Sequence, residues 1–142
     1  MKFFLDANLN VALAASLRAL FIGHDFTPAH DLGLQYEQDI PLFPEVARQG
    51  FDFLMTHDRN QLRNLDERHA LWKSRLHWVG WKDSGQPGLL GLSLETATVT
   101  AALPHILADT PDEPTCYHLK GVAAQKEQRL KCSSIAIAAW KA

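Results

Sequence analysis

The chain has 142 residues, enough for one domain with a full core, and 46% of them are hydrophobic, which excludes an intrinsically disordered chain. Its formal charge of −2 excludes the overall basic signature of a nucleic-acid binder. Charge is nonetheless unevenly spread. Arg59, Arg63, Arg68, Lys73, Arg75 and Lys82 fall within residues 59–82, and residues 83–119 carry no Lys or Arg, so this stretch is either a basic face able to meet phosphates or a solvated helix face.

Residues 2–5 read as a first strand, and Asn8 or Asn10 can cap the next helix. Leu9, Leu13, Leu17 and Leu20 recur at helical spacing, and Gly23 is a natural stop. His24–Ala29 reads as a second strand, Asp31–Leu34 as a loop, and Ile40–Gln49 as a short helix ended by Gly50. Pro41 and Pro44 allow that helix to begin either at Ile40 or near Pro44. Phe51–Thr56 is the third strand. Asn60–Ser74 reads as one helix burying Leu62, Leu65, His69 and Trp72. Leu76–Trp81 is the fourth strand, Asp83–Gly88 a turn, Ser93–Ala108 a helix weakened by Pro104, and Thr115–Leu119 the last strand.

The βαβαβαβαβ order predicts an α/β domain, a three-layer α/β/α sandwich on a mostly parallel central sheet. The domain is expected to span residues 1–119. Residues 120–142 read as a tail, polar over Val122–Lys131 and apolar over Ile135–Trp140, that forms a packing helix or binds a partner. Cys116 and Cys132 lack metal-ligand spacing and read as reduced, and the apolar run before Asp6 is only Phe3-Phe4-Leu5, so a cytoplasmic protein without a leader or membrane span is expected. Trp78, Trp81 and Trp140 read as core residues, with a homodimer contact as the alternative.

Asp6 and Asp58 each lie just past an apolar strand. In an open parallel sheet, ligands bind outside the carboxyl ends of the strands. If the first strand lies between the second and third, the two acids flank one crevice and can hold a divalent cation. A third oxygen ligand is expected from Asp39 or Glu45, although Asp39 also suits a helix cap. Asn8 can cap, ligate or orient water, Thr56 can fix Asp58, Asn60 can add a polar ligand, and Asp31 is either a supporting or a turn residue. His57 can serve as a base or a ligand or point to solvent, and solvent is the expectation. Mg²⁺ or Mn²⁺ held this way makes a bound water easier to deprotonate and neutralises phosphate charge. The scattered His residues argue against zinc. A phospho-acceptor domain with Asp6 as nucleophile would want an acid where Asn8 stands.

The opening FFLDANL, the HD…HDLGL after the second strand and GFDFLMTHDRNQL together resemble PIN-like domains over about residues 1–81. The signature is an Asp ending strand one and a Thr-x-Asp ending a later strand. The resemblance implies a metal-dependent endoribonuclease, typically the toxin of a toxin–antitoxin pair, with RNA as substrate and a small antitoxin blocking the acidic crevice. It makes Asp6 and Asp58 the first and third metal-binding acids and Asp39 or Glu45 the second. Asn60 departs from the family pattern, which often has Asp there. Arg59, Arg63 and Arg68 would contact RNA. The competing reading is a non-catalytic PIN-like module that binds RNA or a protein.

Overall fold

A computed structural model describes residues 1–137. Strands β1 (Lys2–Leu5), β2 (Asp25–Pro28), β3 (Phe53–Thr56), β4 (His77–Gly80) and β5 (Cys116–His118) form one sheet in the order β2-β1-β3-β4-β5, with every pairing parallel. The helices are α1 (Val11–Leu20), α2 (Asp39–Arg48), α3 (Asn60–Arg63), α4 (Leu65–Lys73), α5 (Gly88–Ala108) and α6 (Lys126–Arg129).

The strands are apolar throughout because both faces of the sheet are covered. Side chains alternate between faces with period two. Phe3, Leu5, Phe53, Met55 and Val79 pack with Leu13 and Leu17 of α1 and with Val99, Leu103 and Ile106 of α5. Phe4, Leu54 and Trp78 point the other way, onto Leu42, Phe43 and Val46 of α2 and onto Leu62 and Leu71. The result is the expected three-layer α/β/α arrangement. Phe3 stacks on Phe26 at 4.8 Å and on Phe53 at 4.4 Å, tying β2, β1 and β3 into one aromatic row. Each fully buried Phe contributes on the order of 1.5–3 kcal/mol.

Local chemistry sets the element ends. Asn10, not Asn8, caps α1, its Oδ1 accepting from Ala12 N at 2.9 Å. Leu20 is exposed and does not extend the buried stripe of Leu13 and Leu17. The second helix starts at Asp39 rather than near Pro44, and Pro44 lies inside it. Gln38, rather than Asp39, is the cap residue of α2.

The single helix expected over Asn60–Ser74 is broken at Asn64. That residue is extended (φ −76°, ψ 119°), and its side chain accepts from Asp66 N and Glu67 N. The break turns the apolar face. Leu62 and Leu71 are buried, while Leu65 (80% exposed), Trp72 (48%) and His69 face outward, against expectation. Downstream, α5 begins at Gly88 and runs for 21 residues through Pro104. Trp78 and Trp81 are both core residues.

After β5, Val122 N donates to Thr98 Oγ1 of α5 at 3.0 Å. Beyond that, the short exposed α6 is the one helix among the described residues of the tail. Part of the apolar Ile135–Trp140 segment, Trp140 included, lies outside the described residues. Both cysteines are free, and no helix among the described residues is long and apolar enough to cross a membrane.

Candidate active site

The sheet order puts the winding reversal between β1 and β3, where a crevice opens beyond the strand ends. Asp6 N donates to Met55 O at 2.9 Å, so the β1–β3 ladder runs one residue past β1 and holds Asp6 at that edge. The fully buried Thr56 is the hub of the crevice. Its hydroxyl donates to Asp6 Oδ2 (2.8 Å) and accepts from Asn8 Nδ2 (3.2 Å) and from Asp58 N (2.9 Å). With two N–H groups directed at it, the hydroxyl proton is left to the carboxylate. Asn8 Oδ1 accepts from His57 N at 3.3 Å, so Asn8 ties the two strand-end loops together instead of capping α1. Asp58 Oδ1 accepts from Asn60 N at 3.0 Å, which sets the turn into α3.

Gln61 was not among the residues expected at the site, yet it is completely buried there. Its Nε2 donates to Asp6 Oδ2 at 3.2 Å, and its Oε1 accepts from Trp78 Nε1 at 3.1 Å. An indole N–H can only donate, so Trp78 fixes the amide with its NH₂ toward the acids. The arrangement needs Gly80: a Cβ there would lie 2.0 Å from the Trp78 ring.

Asp39, at the start of α2, belongs to the same cluster. Its carboxyl is raised to about 6, first by burial and then by the charges of Asp6, Glu67 and Asp58, with Gln61 drawing it back down. Glu67, also unanticipated, therefore contributes to the field at this crevice. Glu45 does not join Asp39. It pairs with Arg48 and Gln49 at the other end of α2, and these hydrogen bonds lower its carboxyl to about 2. Asp31 sits in a 3-10 turn (Ala29–Leu32), exposed and 3.7 Å from Arg18. Asn60 is exposed, and only its backbone N–H touches Asp58. Arg59, Arg63 and Arg68 are all exposed. Arg68 lies toward the β5 side, near Cys116.

His57 does not face solvent as expected. Its side chain is 17% exposed, sits edge-on to Trp81 at 5.3 Å, and brings Nε2 within 2.7 Å of Glu95 Oε1. The contact is short but out of line for a hydrogen bond. Glu95 comes from α5, far along the chain, and a carboxylate in the middle of an otherwise apolar and small-residue helix was its one signal in the sequence.

The donors around the crevice are carboxylate oxygens, which suit Mg²⁺ or Mn²⁺. A cation would also relieve the repulsion that raises Asp39. As they stand, no three His, Cys, Asp or Glu side chains among the described residues converge closely enough to share an ion, so Asp6, Asp39 and Asp58 would have to turn toward one another around it.

An all-parallel α/β sheet with acids gathered at its switch point defines the class. Within it, a family model described as a PIN like domain matches residues 1–82, more than half of the chain, and the chain belongs to that family. Membership places it in a nuclease-type superfamily. Comparison with curated proteins and with solved structures gave no match.

Proposed function

We propose that the protein is a metal-dependent endoribonuclease that hydrolyses RNA phosphodiesters, and that it acts as the toxin of a toxin–antitoxin pair. The observation that carries this reading is the gathering of Asp6 and Asp58 around the buried Thr56 hydroxyl, with Asp39 near enough that their charges help to raise its carboxyl. Burial together with Asp6, Glu67 and Asp58 concentrates negative charge at one strand-end crevice, a placement with no packing advantage. Asp6, Asp39 and Asp58 are the residues that would hold Mg²⁺ or Mn²⁺. Such an ion, when bound, supplies a more acidic water and offsets phosphate charge. The chain's own part is positional. Thr56 and Gln61 hold Asp6, Asn8 joins the two loops, and the turn at Asn60 fixes Asp58. Exposed Arg59 and Arg63 on the adjoining turn and helix suit the RNA backbone. A small antitoxin that covers the crevice would silence it.

The test is cleavage of a mixed-sequence RNA by the full chain with Mn²⁺, and again with EDTA. Asp6→Asn and Asp58→Asn are each expected to lose on the order of a hundredfold or more in rate. Rates unchanged in both variants would overturn the proposal.

The second reading, a non-catalytic RNA- or protein-binding module, is favoured by the absence of a preassembled ion site among the described residues and by Asn60 at the usual acid position. Calorimetry separates the two. Mn²⁺ binding that is abolished in Asp6→Asn supports the nuclease, and RNA binding without any metal uptake supports the module.

A further inference from the structure

The sign of the charge reverses at residue 120. Residues 83–119 hold five acids and no Lys or Arg, whereas residues 120–137 hold Lys120, Lys126, Arg129 and Lys131 against the single acid Glu127. In the domain several cations have partners: Lys2 donates to Gln49 O, Arg18 lies beside Asp31, Arg48 on Glu45, and Arg75 donates to Asp112 O. The four cations of the tail are exposed and pair with no acid among the described residues. Nor does the tail pack on the domain. Residues 124–137 are exposed throughout, and α6 is a single turn with no side-chain cap and no buried residue. From Ala123 to Lys131 the one large apolar side chain is Leu130, so this stretch cannot bury enough surface to order itself alone.

The root of the tail is fixed. Leu119 N donates to Gly80 O at 2.9 Å, and Val122 N donates to the buried Thr98 Oγ1 at 3.0 Å. Gly121 and Val122 line a cavity of about 470 Å³ whose wall also includes Asn8 and His57, which are joined across the acidic crevice. The tail therefore leaves the domain beside Asp6 and Asp58. An extended chain spans at most about 3.6 Å per residue, which keeps Lys126 within about 14 Å of Val122 and Lys131 within about 32 Å. The cavity at the root does not itself hold an anion, because Asp83 and Glu95 on its wall outweigh Lys82. The cations available to a polyanion at the crevice are thus the ones beyond the root, together with the exposed Arg59 and Arg63.

We propose that the tail is a basic arm that lies along the RNA backbone as it passes the crevice, with Lys126, Arg129 and Lys131 each meeting a phosphate. The identity of the polymer rests on the ribonuclease reading. The sign and place of the arm rest on the tail itself. Contacts of this kind fix register and affinity and carry no base preference.

The test uses the full chain with Lys126→Gln, Arg129→Gln and Lys131→Gln combined. The three side chains form no ion pair among the described residues, so the thermal midpoint is expected to hold. Binding of single-stranded oligouridine RNA is titrated in EDTA, so that nothing is cleaved, over a series of salt concentrations. Each phosphate neutralised on a single strand adds about 0.7 to the slope of log affinity against log salt, so the variant's slope is expected to be shallower by about 2. From about 50 to 200 mM salt, the wild type is then expected to lose roughly twentyfold more affinity than the variant. Equal slopes, or no binding by the wild type, overturn the proposal. Sedimentation with vesicles containing phosphatidylserine supplies the other polyanion. Vesicle binding that the substitutions abolish, with the RNA slope unchanged, assigns the arm to a lipid surface and also overturns it. Failure of the ribonuclease reading would look different. The difference in slope would persist while Mn²⁺ stimulated no cleavage of the same RNA, which would uphold the arm and end the nuclease reading.

Discussion

Asp39 opens α2 within the field of three other carboxylates, and the free energy of that placement depends on pH. Its folded-state value of about 6 lies above the ordinary 3.8, so the folded chain holds this proton more tightly than the unfolded chain. Stability therefore falls as pH rises from about 4 to about 6, and the full penalty remains above that. Asp39→Asn removes the penalty. In EDTA, the variant's thermal midpoint is expected to exceed that of the wild type at pH 8 by a margin a few degrees larger than at pH 4. An equal margin at the two pH values would show that Asp39 does not share the crevice with the other acids. Asp6 and Asp58 were legible in the sequence because each lies just past an apolar strand. Asp39 was half legible, since a helix start explains an Asp as well as a metal ligand does. Gln61 and Glu95 were not legible. Gln61 meets Asp6 across 55 residues of chain, Glu95 reaches the loop residue His57 from α5, and no local periodicity encodes either contact.

At the scale of elements, the crevice depends on two interruptions of regularity. One is the break at Asn64, which ends α3 after a single turn and lets Gln61 and Leu62 face inward while α4 takes its own orientation. The signal for it was present. Asn64 with Glu67 three residues on is a helix-start pattern, but it lies inside a run whose composition favours one continuous helix. The other is Gly80 at the end of β4. Residues two apart on a strand share a face, so the large Trp78 ring can lie along β4 only if position 80 has no side chain. Trp78 in turn orients Gln61, and Gln61 holds Asp6. Gly80→Ala places a methyl 2.0 Å from that ring and forces the indole to move. Overpacking of this kind destabilises by about 1–3 kcal/mol. The variant is expected to lower the thermal midpoint, shift the tryptophan emission and reduce RNA cleavage together. Full activity with an unchanged emission spectrum would show that the Trp78–Gln61–Asp6 chain does not set the site.

For the molecule as a whole, the parallel sheet was legible because apolar runs such as Phe3-Phe4-Leu5 and Phe53-Leu54-Met55 do not alternate, which means that both faces are buried. The strand order was not, because Phe3 could have stacked on any neighbouring aromatic row. At the far side of the sheet, β5 is a three-residue edge strand whose attachment has a pH limit of its own. Trp78 N donates to Thr115 O and Leu119 N to Gly80 O, and beside them Thr115 N donates to His77 Nδ1 at 3.1 Å. That bond requires an unprotonated Nδ1. Burial lowers the His77 value below the ordinary 6.5, against the pull of Asp52. A depressed His contributes stability that is present above the ordinary value and is lost as pH falls through the folded one, because the unfolded chain takes the proton first. This trend opposes that of Asp39 over much of the same range, so the wild-type stability curve contains both. In the Asp39→Asn background the His77 contribution stands alone, and the unfolding free energy is expected to fall steadily as pH drops below about 6.5. Adding His77→Asn, whose amide oxygen can still accept from Thr115 N but does not titrate, is expected to flatten that limb in urea titrations between about pH 5 and 7. A limb that survives the second substitution would place the acid sensitivity elsewhere than at the β4–β5 edge.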